Sequence, residues 1–372
     1  MPNLLLLCEY PTLSGGERSM LATLDGVRRG GFEPAVIGPG RGALAEALQG
    51  RGVEVVPFES FSVRPRPSLD RMREELARVL RRRRADLLHA NSLSMGRLSG
   101  PVAAELGVPS LAHLRDIVRL SRQAAADLNC HTRLLAVSGA TRDYHVAGGL
   151  DGGKLHVLYN GVDLEAFRPR PATGFLHREL GLAADAQLVG TIGQIALRKG
   201  QDVLARAAAR LVHESARLHF VVVGERYSGK AESRRFEADL QAAARGPLAG
   251  RFHFLGFRDD VDRLLNELTL LVHPARQEPL GRVLLEAAAS GVAVIATDIG
   301  GTREIFPPDS RSARLVEPDD ADGLAAAILE LSADGSQRRQ LAAAARRRAE
   351  EAFDLSGAAE RLVGHYREVV KA

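Results

Sequence analysis

With 372 residues, 45% of them hydrophobic, and a net charge of +4, the chain is long for a single core, which predicts two domains of roughly 170 to 190 residues and excludes a disordered polymer. Only Cys8 and Cys130 are cysteines, with no histidine or cysteine at metal spacing around them, so a disulfide framework and a structural zinc site are excluded. The apolar start from Leu4 to Cys8 is too short to span a membrane and lacks a basic leader, so a cytoplasmic location is expected.

Residues 3 to 8 read as a buried strand, and the following loop, EYPTLSGGERS, sets Gly15 and Gly16 before a helix expected to begin near Arg18. Strand, glycine turn and helix form a nucleotide-like arrangement. The dinucleotide fingerprint G-x-G-x-x-G is absent, which argues against a nicotinamide or flavin cofactor at this turn. EPAVIGPG, a helix near Leu44 to Arg51, and VEVVPF continue the alternation of a right-handed parallel sheet.

Arg64, Arg66 and the run Arg81 to Arg84 are the densest charge features. A helix from Ser68 to Arg84 would place Met72, Leu76, Val79 and Leu80 on its apolar face and arginines in solvent. Only Lys154, Lys199, Lys230 and Lys371 are lysines; an arginine-rich surface suits anions, although it can equally record the base composition of the gene.

DLLHANS and PSLAHLRD end two further strands, gathering His89, Asn91, His113, Arg115 and Asp116 at the carboxyl edge of the sheet, where open α/β sheets bind ligands. Ser138 caps the next helix and Asn160-Gly161 forms a turn. The prolines and glycine between Pro169 and Ala184 mark an interdomain boundary.

A second alternation begins at LVGTIGQI. There Arg198 and Lys199 precede Gly200 and a helix start, so two cations and free backbone N–H groups converge. LHFVVVGE is a further strand, the polar stretch Tyr227 to Arg235 is expected as a loop, and RFHFLGFRDD ends a strand at Phe257-Arg258. Asp259, Asp260 and Asp262 fit an acidic helix start as well as they fit a metal site.

The stretch EPLGRVLLEAAASGVAVIATDIGG, Glu278 to Gly301, reads as turn, helix and buried strand over Val292 to Ile295. Pro279, Leu280 and Gly281 lead into a helix of about ten residues whose free N–H groups can hold a phosphate. Glu286 can accept two hydrogen bonds from a vicinal diol such as a ribose, and Glu278 can receive hydroxyls of a second ring. Both acids also fit ordinary roles, Glu278 at the helix dipole and Glu286 paired with Arg282.

The Glu278–Glu286 segment resembles the E-x7-E signature, with its trailing G-V-x-V-x-A-T-x-x-G-G, of retaining glycosyltransferases of family four. K-x-x-V-x-Y-N-G-V-D-x-x-x-F-x-P between Lys154 and Pro169 resembles the same family; Gly15-Gly16 resembles its G-G-x-E element, and the stretch to Gly200 its G-R-x-x-x-x-K-G element, with Lys199 in the lysine position. In that element Gln194 stands where arginine is usual, and Arg198 could supply the missing charge.

The resemblance implies the GT-B fold, an α/β architecture of two Rossmann-like domains facing across a cleft. Residues 1–168 would form the acceptor-side domain, joined by a C-terminal helix of about 355–372 that crosses back, and 169–354 the donor-side domain. It further implies transfer of a hexose-type unit from a nucleoside-diphosphate sugar, a co-substrate with no separate cofactor and no metal, to a glycan, lipid-linked or small-molecule acceptor. Nucleic acid is not an expected partner; for the arginine cluster, contact with the inner membrane face is the alternative to a solvated face.

Within that picture Lys199 and Arg198 would neutralise the diphosphate. Glu278 and either His113 or Arg115 would meet the transferred sugar, because the usual histidine position holds Arg115 while His113 lies two residues earlier on the same strand face. Main-chain groups at Phe257 would hold the base. A sugar-nucleotide epimerase of the same architecture and a non-catalytic sugar-nucleotide-binding subunit are the alternatives.

Overall fold

The computed structural model describes residues 1–61, 63, 65–246 and 248–371; Arg64 lies outside the described residues. The chain divides into two compact units, residues 1–161 with 355–372 and residues 162–354.

Among the described residues the first unit holds a seven-stranded parallel sheet, ordered β3-β2-β1-β4-β5-β6-β7. Its strands are β1 Asn3–Leu7, β2 Glu33–Gly38, β3 Glu54–Pro57, β4 Leu87–Ala90, β5 Ser110–Leu114, β6 Arg133–Ala136 and β7 Leu155–Val157. The continuous apolar run of β1 is explained by burial on both faces. Leu5 and Leu7 enter one core with Leu88, Ala112 and Leu134, while Leu4 and Leu6 enter the other with Val36, Leu111 and Leu135, as the two-residue period of a strand requires.

Serines after successive strands start the helices. The Ser92, Ser121 and Ser138 hydroxyls accept from the backbone N–H groups of Met95, Ala124 and Thr141, so each helix is capped at the carboxyl edge of the sheet. The first helix, Gly15–Arg29, starts three residues before the expected Arg18, because Gly15 and Gly16 form its first turn rather than a loop before it. The helix Leu69–Arg83 is capped by Ser68 and buries Leu76 and Leu80.

The last helix, Leu355–Lys371, packs in the first unit, where its Leu362, Val363, Tyr366 and Val369 join the core around Leu4 and Leu24. The Tyr366 ring meets Phe32 edge-on at 5.3 Å.

The second unit holds, among the described residues, a six-stranded parallel sheet ordered β10-β9-β8-β11-β12-β13. These are β8 Gln187–Ile192, β9 Leu218–Val223, β10 Phe252–Gly256, β11 Leu270–His273, β12 Val294–Thr297 and β13 Arg314–Val316. Val189, Phe220, Val222, Leu270, Val272 and Ile295 form its core with Val203, Leu204 and Leu324 from the covering helices.

Strand β12 begins two residues later than the apolar run Val292 to Ile295 suggests. The backbone N–H of Val292 is spent on Ala287 O at 3.0 Å, closing the preceding helix. Half of the expected loop from Tyr227 to Arg235 is helical, since the helix Ala231–Arg245 opens within it.

The division between units falls at Gly161 and Val162 rather than after residue 168. Val162 N–H donates to Phe353 O at 2.8 Å and bridges Asp354, tying both ends of the second unit together. The segment expected as irregular boundary, Pro169 to Ala184, contains a short helix, Phe175–Leu180, and belongs to that unit.

Candidate active site

In the second unit the segment after β11 returns past Glu278 into the helix Arg282–Ala289, and Gly281 enters that helix at φ 101°. Gly300 and Gly301 complete the turn. A Cβ on Gly300 would come within 2.0 Å of Glu278 O, so no side chain fits there, and Gly301 N–H donates to the same carbonyl at 3.0 Å. The glycine pair thus fixes the main chain at Glu278.

Glu278 is buried, and its Oε2 accepts from Lys199 Nζ at 2.5 Å and from His273 Nε2 at 2.6 Å. Burial alone would raise the Glu278 pKa, but the Lys199 charge and the His273 hydrogen bond outweigh it and hold the carboxyl below the usual range. An ionised carboxylate only accepts, so His273 carries its proton on Nε2. Burial also drives the His273 pKa down, leaving a neutral imidazole beside one cation and one anion.

Lys199 ends a single 3₁₀ turn, Leu197–Lys199, closed by Gly200 at φ 67°. A Cβ on Gly200 would lie 1.8 Å from Pro274 O, so the approach of this turn to the end of β11 depends on glycine. Arg276 secures the turn with a bidentate pair to Asp202 at 2.8 and 2.6 Å, a bond to Asp319 at 2.7 Å and one to Leu197 O at 2.7 Å. Arg198 is directed elsewhere than Lys199, its Nη2 reaching Gln194 Oε1 at 3.4 Å.

Pro279, Leu280 and Gly281 lead into the helix as expected, with Leu280 buried in the core. Glu286 is partly buried and paired with Arg282 at 2.7 Å. Phe257 is half-exposed, and its backbone N–H, a group expected to face a base, donates to Glu225 Oε1 at 3.3 Å. The neighbouring acids have cationic partners: Asp260 pairs with Arg258 at 2.8 Å and Asp262 with Arg170 at 2.9 Å.

A second polar cluster occupies the carboxyl edge of the first sheet. Arg115 donates through Nε to Asn91 O at 3.1 Å, through Nη2 to Asn91 Oδ1 at 2.9 Å and to His113 Nδ1 at 3.1 Å, and through Nη1 to Asn160 Oδ1 at 3.0 Å. A Cβ on Gly16 would stand 3.1 Å from Arg115 Cδ, so the first turn of helix Gly15–Arg29 lies directly against this arginine.

His113 is buried, and desolvation, reinforced by the Arg115 charge, holds its pKa well below the usual value. His113 and Arg115 are thus joined as one hydrogen-bonded pair. Asp116 contributes its carbonyl, which accepts from His145 Nε2 at 2.8 Å.

Sequence reading missed His273, Arg276 and Tyr366, whose hydroxyl meets His89 Nδ1 at 2.6 Å. His273 carried a usable signal, since it ends an apolar strand in LLVHP just as His89 does in LLHAN. Of the arginine cluster, Arg66 pairs with Glu9 at 2.6 Å and Arg83 with Glu54 at 2.7 Å, while Arg71, Arg78, Arg81, Arg82 and Arg84 are exposed.

Two Rossmann-like units, the second with a cation beside a buried glutamate at the carboxyl edge of its sheet, define a protein of the GT-B glycosyltransferase class. Residues 186–334 match the family model "Glycosyl transferases group 1" and residues 13–166 match "Glycosyltransferase Family 4".

A D-inositol 3-phosphate glycosyltransferase of Stackebrandtia nassauensis is 30% identical over 309 residues, 77% of this chain and 69% of the relative. An alpha-maltose-1-phosphate synthase of Mycolicibacterium smegmatis is 30% identical over 252 residues, and the chain spans 63% of that relative's length. The chain belongs to glycosyltransferase family four. Anabaena HepE, solved with UDP and glucose, has a TM-score of 0.87 at 23% identity, covering 98% of this chain and 99% of that one.

Proposed function

We propose that this chain moves a hexose-type sugar from a nucleoside-diphosphate sugar to an acceptor hydroxyl with retained anomeric configuration and without a metal. The acceptor is a glycan, a lipid-linked glycan or a small molecule. The observation that carries the reading is the Lys199–Glu278–His273 cluster beside the helix entry at Gly281, in a chain whose relatives are named as glycosyltransferases and sugar-phosphate synthases. HepE, solved with UDP and glucose, supports a nucleotide-sugar donor.

As the glycosidic bond breaks, negative charge grows on the leaving diphosphate. Lys199 and Arg198, with the N–H groups after Pro279, supply the opposing charge, each preorganised donor being worth roughly 2.7–4 kcal/mol. In the second unit Glu278 orients the transferred sugar and Glu286 takes the ribose diol; in the first, the His113–Arg115 pair, with Gly15 and Gly16 beside it, offers a polar edge to a substrate. The leaving phosphate takes the acceptor proton as the new bond forms on the same face, so the residues position and neutralise rather than bond. The enzyme works in the cytoplasm. Exposed Arg71, Arg78, Arg81, Arg82 and Arg84 support contact with an anionic membrane face.

Purified protein incubated with a panel of UDP-, GDP- and ADP-sugars and candidate acceptors should release nucleoside diphosphate and yield an α-configured product from an α-configured donor, read by anomeric coupling in NMR. An inverted product removes the retaining assignment. Absence of turnover and of any thermal shift across the panel removes the donor assignment.

A further inference from the structure

A buried relay joins the C-terminal helix to the Arg115 cluster. Tyr366 is completely buried, and its hydroxyl bonds His89 Nδ1 at 2.6 Å. The His89 ring stacks on His113, with centroids 5.6 Å apart and an interplanar angle of 19°. His113 Nδ1 receives Arg115 Nη2 at 3.1 Å. A guanidinium can only donate, so His113 must present an unprotonated Nδ1 and keep its proton on Nε2.

Two observations set this relay apart from ordinary core packing. The Nε2 atoms of both histidines are buried without a protein partner, whereas buried polar groups are normally hydrogen-bonded. The cavity they line with Asn91, Arg115, Leu362 and Tyr366 has a volume of about 20 Å³, room for about one water. Of the two histidines, His113 is the one that touches Arg115.

We propose that Tyr366 is a positioning residue for Arg115, acting through the stacked His89–His113 pair to fix the direction of the guanidinium. The inference rests on the reading that Arg115 meets a substrate. The hydroxyl sets the plane of His89, the stack sets the plane of His113, and the lone pair of His113 fixes one arm of the fork whose other arms are held by Asn91 and Asn160. The helix carrying Tyr366 follows directly on Asp354, the last residue of the second unit.

The test uses steady-state kinetics of the full chain with the donor identified by the panel. Tyr366→Phe, which removes one oxygen, should lower kcat/KM roughly tenfold, the scale of one hydrogen bond to this network, with the same division between kcat and KM as Arg115→Lys. His89→Leu, which cuts the relay one step later, should reproduce that division. Leu362→Ala, in the same helix and cavity wall, should lower the melting temperature and leave kcat/KM at the wild-type value.

Wild-type kinetics in Tyr366→Phe beside a damaged Arg115→Lys would overturn the inference and spare the reading beneath it. A silent Arg115→Lys would overturn the inference, because the direction of the fork would then not matter, and a silent Arg115→Ala would overturn both. Losses in Tyr366→Phe and Leu362→Ala that simply track melting temperature would show a structural tyrosine and overturn the inference.

Discussion

At the carboxyl edge of the first sheet Arg115 is held by Asn91, Asn160 and His113, while at the same edge of the second sheet Lys199 is held by the buried carboxylate of Glu278. Neutral acceptors orient a guanidinium without cancelling its charge. A carboxylate orients an ammonium and cancels it, and in return the ammonium keeps the buried acid ionised. The first unit therefore presents a fixed cation, and the second a balanced pair.

The balanced pair gives the largest expected effect. Lys199→Ala should lower turnover by roughly two orders of magnitude or more. It should also destabilise the second unit by about 3–5 kcal/mol, because Glu278 is left as a buried charge with only His273 beside it. Lys199→Arg should recover the stability more fully than the rate, since the charge returns but the short ammonium contact does not. If turnover and donor affinity both survive Lys199→Ala, the phosphate assignment fails and the pair is merely structural.

Acid should separate the two units. In the first, burial, with the Arg115 charge adding to it, lowers the His89 pKa to about 3, burial lowers His131 to about 4, and His113 lies well below its usual value. Each remains neutral when folded and gains a proton near pH 6.5 when unfolded. Their stability is complete above that value and is lost as pH falls toward the folded pKa values, at about 1.4 kcal/mol per pH unit for each group.

In the second unit His273 behaves the same way, but the depressed carboxyl of Glu278 loses its contribution only as pH falls below the unfolded value of about 4.3. Hydrogen exchange at about pH 7.5 and about pH 5.5 should show the first unit losing protection first. Earlier loss in the second unit would contradict the assignment of neutral histidines.

Arg115→Lys sharpens the comparison from the other side. A lysine keeps the charge but cannot reach Asn91, Asn160 and His113 together. A loss of at least one charge-assisted bond, about 1.5–3 kcal/mol, should lower the melting temperature by a few degrees and, with the guanidinium no longer fixed, reduce kcat/KM about tenfold or more. Equal activity in the lysine variant would mean that charge alone matters at this edge.

What the sequence disclosed follows the range of each interaction along the chain. The alternation of strands and helices was legible because apolar runs and the serine and glycine residues that end them act locally, and Lys199, Glu278 and Glu286 stood within short motifs. Helix and strand ends at Gly15 and Val294 were displaced because backbone N–H groups chose partners that residue type does not announce, as at Val292. Arg276 and Asp202 lie 74 residues apart, and His89 and Tyr366 lie 277 apart; only the packing of helices on the assembled sheets brings them together. His273 and Glu278, five apart, were within reach of a more careful reading.

The smallest expected effect belongs to Glu286, the acid that sits outside the balanced pair. Its carboxylate is partly exposed and bonded through Oε1 to Arg282 at 2.7 Å, so Glu286→Gln keeps one acceptor for Arg282 and changes the fold little. A ribose diol needs both oxygens as acceptors, and an amide offers one acceptor and one donor. Losing one of two such bonds should raise the donor KM about tenfold, equivalent to 1.4 kcal/mol, while kcat stays within about twofold because the contact is the same in ground and transition states. If kcat falls instead and KM holds, Glu286 belongs with Glu278 in serving the reacting sugar, and the division of labour between the two acids is reversed.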